Sequence, residues 1–274
     1  MPYRHAHYWL LLLYPITFLA FWRDYFSKLA EVPYAFHFHG FTASLWIALL
    51  TVQSWTIHHR QNKAHRSIGY ASFLLFPLFM AGGMMVIQTM ALTTAAGVSP
   101  FYNLYGAQLA MFDLIATVGI GAFFFMALKY RRKVHVHSRY MLATIFFLFG
   151  PIFARLLPGL LPPIAITGPD TFYRFVYAYH LANLIALAIT LALYFRSGRF
   201  GRPFLVASGL ILLQSLTFET VARTAAWRGI VYAIGATPTS ALVSLAIAAS
   251  AAIIWLGWTA GHGPRQAVPA AGGA

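Results

Sequence analysis

The sequence predicts an all-α polytopic membrane protein, a transmembrane bundle of about eight helices with both termini on the cytoplasmic side. Three observations lead to this prediction. The chain of 274 residues is 60% hydrophobic and only 9% charged, whereas roughly a quarter of the residues of a soluble domain are charged. Apolar runs long enough to cross a bilayer, about 20 residues each, recur along the chain. Short loops rich in Lys and Arg separate these runs, as is typical of loops that orient a protein in a membrane.

The apolar runs set the predicted helices. These helices cover 7–27, 34–57, 68–92, 104–129, 139–157, 171–195, 203–224 and 236–258. The first has the shortest purely apolar stretch. Pro77 and Pro151 fall inside helices and predict kinks there. Residues 1–262 are therefore expected to form one transmembrane domain, and residues 263–274, rich in Pro, Ala and Gly, are expected to form a disordered tail.

The distribution of Lys and Arg predicts the orientation in the membrane. Thirteen of the 19 basic residues fall on one face, namely Arg4, Arg60, Lys63, Arg66, Lys129, Arg131, Arg132, Lys133, Arg139, Arg196, Arg199, Arg202 and Arg265. The remaining six fall on the other face, namely Arg23, Lys28, Arg155, Arg174, Arg223 and Arg228. By the positive-inside rule the first face is cytoplasmic. We therefore expect a multi-pass protein of the bacterial cytoplasmic (inner) membrane. The formal charge of +14 then reflects topology, with the lipid bilayer and not nucleic acid as the partner.

Composition also excludes several kinds of chemistry. The chain has no cysteine, which excludes disulfides, thiolate metal sites, iron–sulfur clusters and thiol catalysis. Lysine occurs only at positions 28, 63, 129 and 133, so no late helix supplies a retinal Schiff base. Neither H-E-x-x-H nor G-x-S-x-G occurs. The zinc-protease and serine-hydrolase motifs are therefore missing.

Polar residues in the membrane half opposite the basic face form a first candidate site. Ionisable groups in lipid are costly and usually have a function or a partner. One interpretation is a metal site for zinc or non-haem iron, with ligands His39, Asp113, His180 and Glu219. The other is a structural network without a metal, in which the two acids pair with Arg155 and Arg223.

Histidines near the basic face form a second candidate site. His65 and His137 each precede the apolar core of a different, non-adjacent helix, and each is closely followed by an arginine, Arg66 or Arg139. Two imidazoles at matched depth are the arrangement that a bis-histidine haem b needs, and arginines are suited to its propionates. Other histidines of this layer are expected to lie among lipid headgroups, namely His58, His59 and His135.

The order of several of these residues resembles a signature of a large family of uncharacterised bacterial multi-spanning membrane proteins. That signature has the order H-G…W…Q…H-R-x-x-G…H-x-R-x-M. It is matched here by His39-Gly40, Trp46, Gln53, His65-Arg66-x-x-Gly69 and His137-x-Arg139-Tyr140-Met141. The match covers predicted helices two to five, about half of the chain. The resemblance implies that His39, His65 and His137 belong to the family signature, and it carries no activity.

A second resemblance, of architecture only, is to two-haem transmembrane cytochromes of the b561 type, which use histidines near both membrane faces. It implies one haem between His65 and His137 and another between His39 and His180. The fourth predicted helix carries Asp113 and no histidine, so the usual second pairing of that family is missing here.

Three functions follow from these patterns. The favoured one is a haem- or metal-bearing redox protein that transfers electrons to or from a quinone or another redox membrane protein. The second is a zinc-dependent membrane hydrolase in which Asp113 or Glu219 is the base. The third is a transporter, sensor or assembly factor that uses Asp113, His180 and Glu219 as a proton or metal relay.

Overall fold

The computed structural model describes residues 3–261, and the secondary structure within that range is helical, without a strand. The α-helices of this range are α1 (Ala6–Phe21), α2 (Tyr34–His58), α3 (Asn62–Ala96), α4 (Pro100–Lys129), α5 (Val134–Ala143), α6 (Phe146–Leu160), α7 (Phe175–Arg196), α8 (Arg202–Glu219), α9 (Ala225–Ala236) and α10 (Thr239–Ala260). The predicted all-α bundle is confirmed. His262 and the predicted disordered tail lie outside the described residues.

Between residues 3 and 261, seven helical segments are long and apolar enough to cross a membrane, with α5 and α6 counted together. The first predicted helix differs, because α1 has 16 residues and is therefore only about 24 Å long. It still runs between the two ends of the bundle. At one end the His7 ring lies 6.4 Å from the His59 ring. Just past the other end of α1, Arg23 donates a hydrogen bond to the carbonyl of Ile166 at 3.0 Å.

Both ends of the described chain meet at the same end of the bundle. Tyr3, from the N-terminal segment, and Trp258, from the last turn of α10, line one cavity together with residues from the end of α2, the start of α3 and the loop after α4. We call this end, which carries Arg60, Lys63, Arg131 and Arg132, the basic end. The arrangement agrees with the prediction that both termini lie on one side of the membrane.

One predicted helix is divided in the structure. The helix expected over 139–157 is divided into α5 and α6 at Thr144–Ile145 and not at Pro151. Around the break, backbone bonds run from residue i to i−3, and the Thr144 hydroxyl donates to the carbonyl of Met141 at 2.7 Å. Such local side-chain bonds compete with the helical pattern.

The short helix α9 was not predicted, because its residues were assigned to a helix end and a loop. It begins after Thr224, whose hydroxyl accepts a hydrogen bond from the backbone N–H of Trp227 at 3.2 Å. The indole of Trp227 donates to the carbonyl of Ala107 at 2.7 Å. That bond anchors α9 across the end of α4 that lies opposite the basic end.

The packing of the bundle centres on Trp46 of α2, which is completely buried. Its ring stacks on Phe79 of α3 and meets Phe124 of α4 edge to face. Its indole N–H donates to the hydroxyl of Thr144 at 3.1 Å. Trp46 therefore joins α2, α3, α4 and the α5–α6 break, next to the cavity described below.

Candidate functional site: a histidine-lined cavity at the basic end

A cavity of about 600 Å³ opens at the basic end between α2, α3, α4, α5 and α10. Its walls combine apolar and aromatic side chains with a few polar ones, as is usual for cofactor and ligand sites of this size. The histidines that line it are His58, His65 and His137. Two of these, His65 and His137, are the pair predicted to hold a haem.

His65 and His137 are held in the same way. The Nδ1 atom of His65 lies 3.2 Å from the carbonyl oxygen of Gln53, and that of His137 lies 2.9 Å from the carbonyl oxygen of Ala127. A carbonyl oxygen only accepts, so each Nδ1 carries the hydrogen and each Nε2 keeps a lone pair. Neither Nε2 atom has a hydrogen-bond partner among the described residues. A hydrogen bond from Nδ1 to a backbone carbonyl is the arrangement that orients histidine ligands in metal sites.

Gln53 clamps α3 to α2 at the position of His65. Besides the bond from His65 to its carbonyl, the Gln53 side-chain amide donates to the carbonyl of His65 at 2.9 Å. Gly69 lies one turn after His65, and a Cβ atom there would come within 3.2 Å of the Gln53 amide nitrogen. The spacing of Gln53, His65 and Gly69 in the sequence therefore has a physical reason: the glycine leaves room for the glutamine that positions the histidine.

The cationic part of the cavity wall differs from the prediction. Arg66 lines the cavity as expected, together with Arg131 and Arg132. Arg139, which was expected to face the same ligand as His137, is not among the residues that line the cavity. It is 6% exposed, donates to the carbonyl of His135 at 2.6 Å and packs over the ring of Tyr3.

Arg131 is anchored between two helix ends. It donates to the carbonyls of Leu128 at 3.1 Å and Trp258 at 2.8 Å. Partial burial and the neighbouring Arg132 lower the pKa of Arg131 from its ordinary value. An anionic group bound beside Arg131 and Arg132 would relieve the repulsion between them. From the sequence, both arginines were interpreted only as a signal for the orientation of the chain in the membrane, since a basic loop is the ordinary orientation signal.

Three buried polar atoms in the α2 wall of the cavity have no hydrogen-bond partner among the described residues. They are the side-chain oxygen of Gln53, the hydroxyl of Ser54 and the Nε2 atom of His58. A buried group without a partner typically costs about 1–3 kcal/mol. From the sequence, His58 was expected to lie among lipid headgroups and not in a cavity wall. Its i, i+4 relation to Ser54 was the signal that both face one side of α2.

His39 lies away from this cavity, packed against α3. Its ring stacks on Phe79 with 5.6 Å between the centroids, and its Nδ1 atom is buried without a partner among the described residues. A Cβ atom at Gly82 would lie 3.0 Å from the His39 Cα atom. The glycine therefore allows α2 and α3 to approach closely, as small residues do between membrane helices.

His180 belongs to a different environment, the contact between α7 and α8. Its Nε2 atom lies 2.7 Å from a carboxylate oxygen of Glu219, and the other oxygen accepts a hydrogen bond from Arg223. The predicted pair of Glu219 and Arg223 is therefore present. Because His180 already uses its Nε2 atom on α8, whereas His39 packs on α3, the structure does not bring His39 and His180 to one site.

The other predicted pair is not formed. Within residues 3–261, Asp113 has no salt bridge, and Arg155 instead donates to the carbonyl of Pro151 at 3.1 Å and packs over the ring of Phe21. The same range contains no group of three or more His, Asp or Glu side chains placed to hold a metal ion. The ligand set predicted for zinc or non-haem iron is thus distributed over separate places in the fold.

Fold and site together define a polytopic helical membrane protein with a histidine-lined cavity at its basic end. No protein-family model, curated protein or solved structure matches the chain.

Proposed function

We propose that this protein is a redox protein of the bacterial inner membrane that binds haem b in the cavity at the basic end, with His65 and His137 as axial ligands. One observation carries the proposal. Two histidines from different helices line one cavity, and each has its Nδ1–H bonded to a backbone carbonyl, which leaves Nε2 for a metal. Imidazole pairs of this kind suit haem iron.

The remaining residues of the cavity fit such a cofactor. Apolar side chains, among them Phe73, Phe124 and Leu142, would surround the macrocycle, and the volume falls in the range of cofactor sites. Arg66 and Arg132 would pair with its propionates. When bound, haem b supplies one-electron chemistry. The chain orients the imidazoles, excludes water with its aromatic walls and balances the propionate charge. The electron partner would be a quinone or another redox membrane protein.

The test is an optical difference spectrum, dithionite-reduced minus air-oxidised, of detergent-purified protein expressed with sufficient haem. We expect a sharp α-band of the b type and about one haem for each chain from pyridine extraction. His65→Ala should remove the band. The matched control is His180→Ala, which removes a histidine that lies outside the cavity, in the α7–α8 contact. A featureless wild-type spectrum, or a band lost equally in both variants, would refute the proposal.

A further inference from the structure

We infer that the α2 wall of the cavity is a binding subsite for the hydroxyl head group of a neutral aromatic amphiphile, a molecule of the quinol class. The observation is the cluster of three unpartnered buried atoms at Gln53, Ser54 and His58, within about one and a half turns of one helix. The choice of a quinol over other hydroxyl-bearing lipids rests on the proposed redox function.

The hydrogen-bond partners of these residues determine what each free atom does. His58 Nδ1 lies 2.7 Å from the carbonyl oxygen of Ser54, so Nδ1 carries the hydrogen and Nε2 is an acceptor. The Gln53 amide nitrogen donates to the carbonyl of His65, which leaves the amide oxygen as a second acceptor. The Ser54 hydroxyl both donates and accepts. A complementary ligand must therefore offer at least one hydrogen-bond donor.

The surroundings restrict the donor to a neutral hydroxyl. A cationic donor would be repelled by Arg66 and Arg132, which line the same cavity. An anionic head group has acceptors where donors are needed. Two aromatic side chains of the cavity that are not assigned to the macrocycle, Tyr70 and Trp258, suit a flat ring. The Gln53 acceptor lies on the residue that clamps His65, so a ligand hydroxyl bound there would lie beside the proposed haem ligand.

The test is a fluorescence titration of the purified full-length holoprotein with a heptyl-substituted hydroxyquinoline N-oxide, a fluorescent quinol analogue. We expect saturable quenching in the wild type and binding about tenfold weaker in His58→Leu, the effect of losing one hydrogen bond of about 1.4 kcal/mol. Ser54→Ala should weaken binding in the same direction by a smaller factor. It removes one oxygen atom and keeps the fold even if His58→Leu does not.

The matched control is His59→Leu. His59 is the next residue, but it is exposed, its ring contacts that of Trp55 at a tilt, and it does not line the cavity, so binding should not change. Equal affinity in the wild type, Ser54→Ala and His58→Leu would overturn the inference, as would the absence of saturable binding, which would mean that water alone meets the three atoms. The haem spectrum of each sample separates the two proposals. If the analogue binds but the protein holds no haem, the subsite is supported and the redox function is refuted. If the protein holds haem but the analogue does not bind, the redox function is supported and the subsite is refuted.

Discussion

The cavity at the basic end and the contact between α7 and α8 differ in how their polar side chains are paired within the protein. Along the α7–α8 contact, three pairs of polar side chains meet in register: His180 with Glu219, Asn183 with Ser215 at 2.8 Å, and Thr190 with Ser208 at 2.8 Å. One buried polar atom of this contact, the Tyr179 hydroxyl, has no partner among the described residues. In the cavity, three buried polar atoms and two imidazole Nε2 atoms have no partner among the described residues. The first pattern holds two helices together, since side-chain hydrogen bonds link membrane helices.

The unpartnered polar groups of the cavity do not link helices in this way. Unpartnered polar groups in a low-dielectric region destabilise the fold unless something outside the chain meets them. The comparison therefore separates two kinds of polar residue that composition alone treats alike. A histidine paired within the bundle, such as His180, serves the fold. His65 and His137, which are oriented by their Nδ1 atoms and line the cavity, have the orientation that the proposed haem ligation requires.

The largest expected effect comes from His137→Ala, which should remove essentially all bound haem, because a single imidazole is left to hold the iron. Adding free imidazole to the purified variant in the presence of haem should restore the low-spin spectrum, since the truncated side chain leaves space for it. The absorption spectrum with and without imidazole checks this. A variant that keeps the wild-type spectrum without imidazole would show that His137 is not a ligand.

A smaller effect is expected from Gln53→Leu, which removes the clamp on His65 but not the ligand itself. Loss of a residue that orients a ligand typically weakens metal affinity about 10–100-fold, and haem titration of the apoprotein measures it. The matched control is Gln214→Leu. That fully buried glutamine also donates to a backbone carbonyl of a neighbouring helix, Phe112 at 3.1 Å, away from the cavity. Equal haem affinity in both variants would contradict the positioning role of Gln53.

The fold was more predictable than the site, for a physical reason. Long apolar runs and basic loops report on a bilayer directly, so the bundle and the common side of both termini followed from local sequence. The site depends on which helix faces meet. Arg139 follows His137 by two residues, yet on a helix that spacing turns it to another face, where it packs on Tyr3.

The lateral neighbours of a residue were not predictable from its position along a helix. His39 and His180 were placed in the same membrane half, but one packs on α3 and the other on α8. That His58 and Ser54 face the same side of α2 could have been predicted from their i, i+4 spacing. Arg131 and Arg132 were not, because a cavity-lining arginine and an orientation signal have the same sequence pattern in a short loop.

In the α7–α8 contact, Glu219→Ala should lower the stability of the protein without changing the cavity. It leaves His180 and Arg223 without their carboxylate, and because all three side chains are partly exposed, the expected loss is about 1 kcal/mol. Equilibrium unfolding of the purified protein in detergent measures this change. The haem spectrum should match that of the wild type. A change in the spectrum instead would connect the α7–α8 contact to the cofactor and remove the distinction between the two regions.

The smallest effect is expected one turn further along the same contact. Asn183 donates to the hydroxyl of Ser215, and interhelical hydrogen bonds of this kind contribute about 0.6 kcal/mol on average. A double-mutant cycle with Asn183→Ala and Ser215→Ala should return a coupling energy of that size by the same unfolding measurement. Leu184→Ala is the control, because Leu184 is 58% exposed and faces away from α8. A coupling energy near zero would mean that apolar packing alone sets the register of α7 on α8. Paired polar residues would then no longer mark a structural contact, and only the unpartnered groups of the cavity would distinguish the two regions.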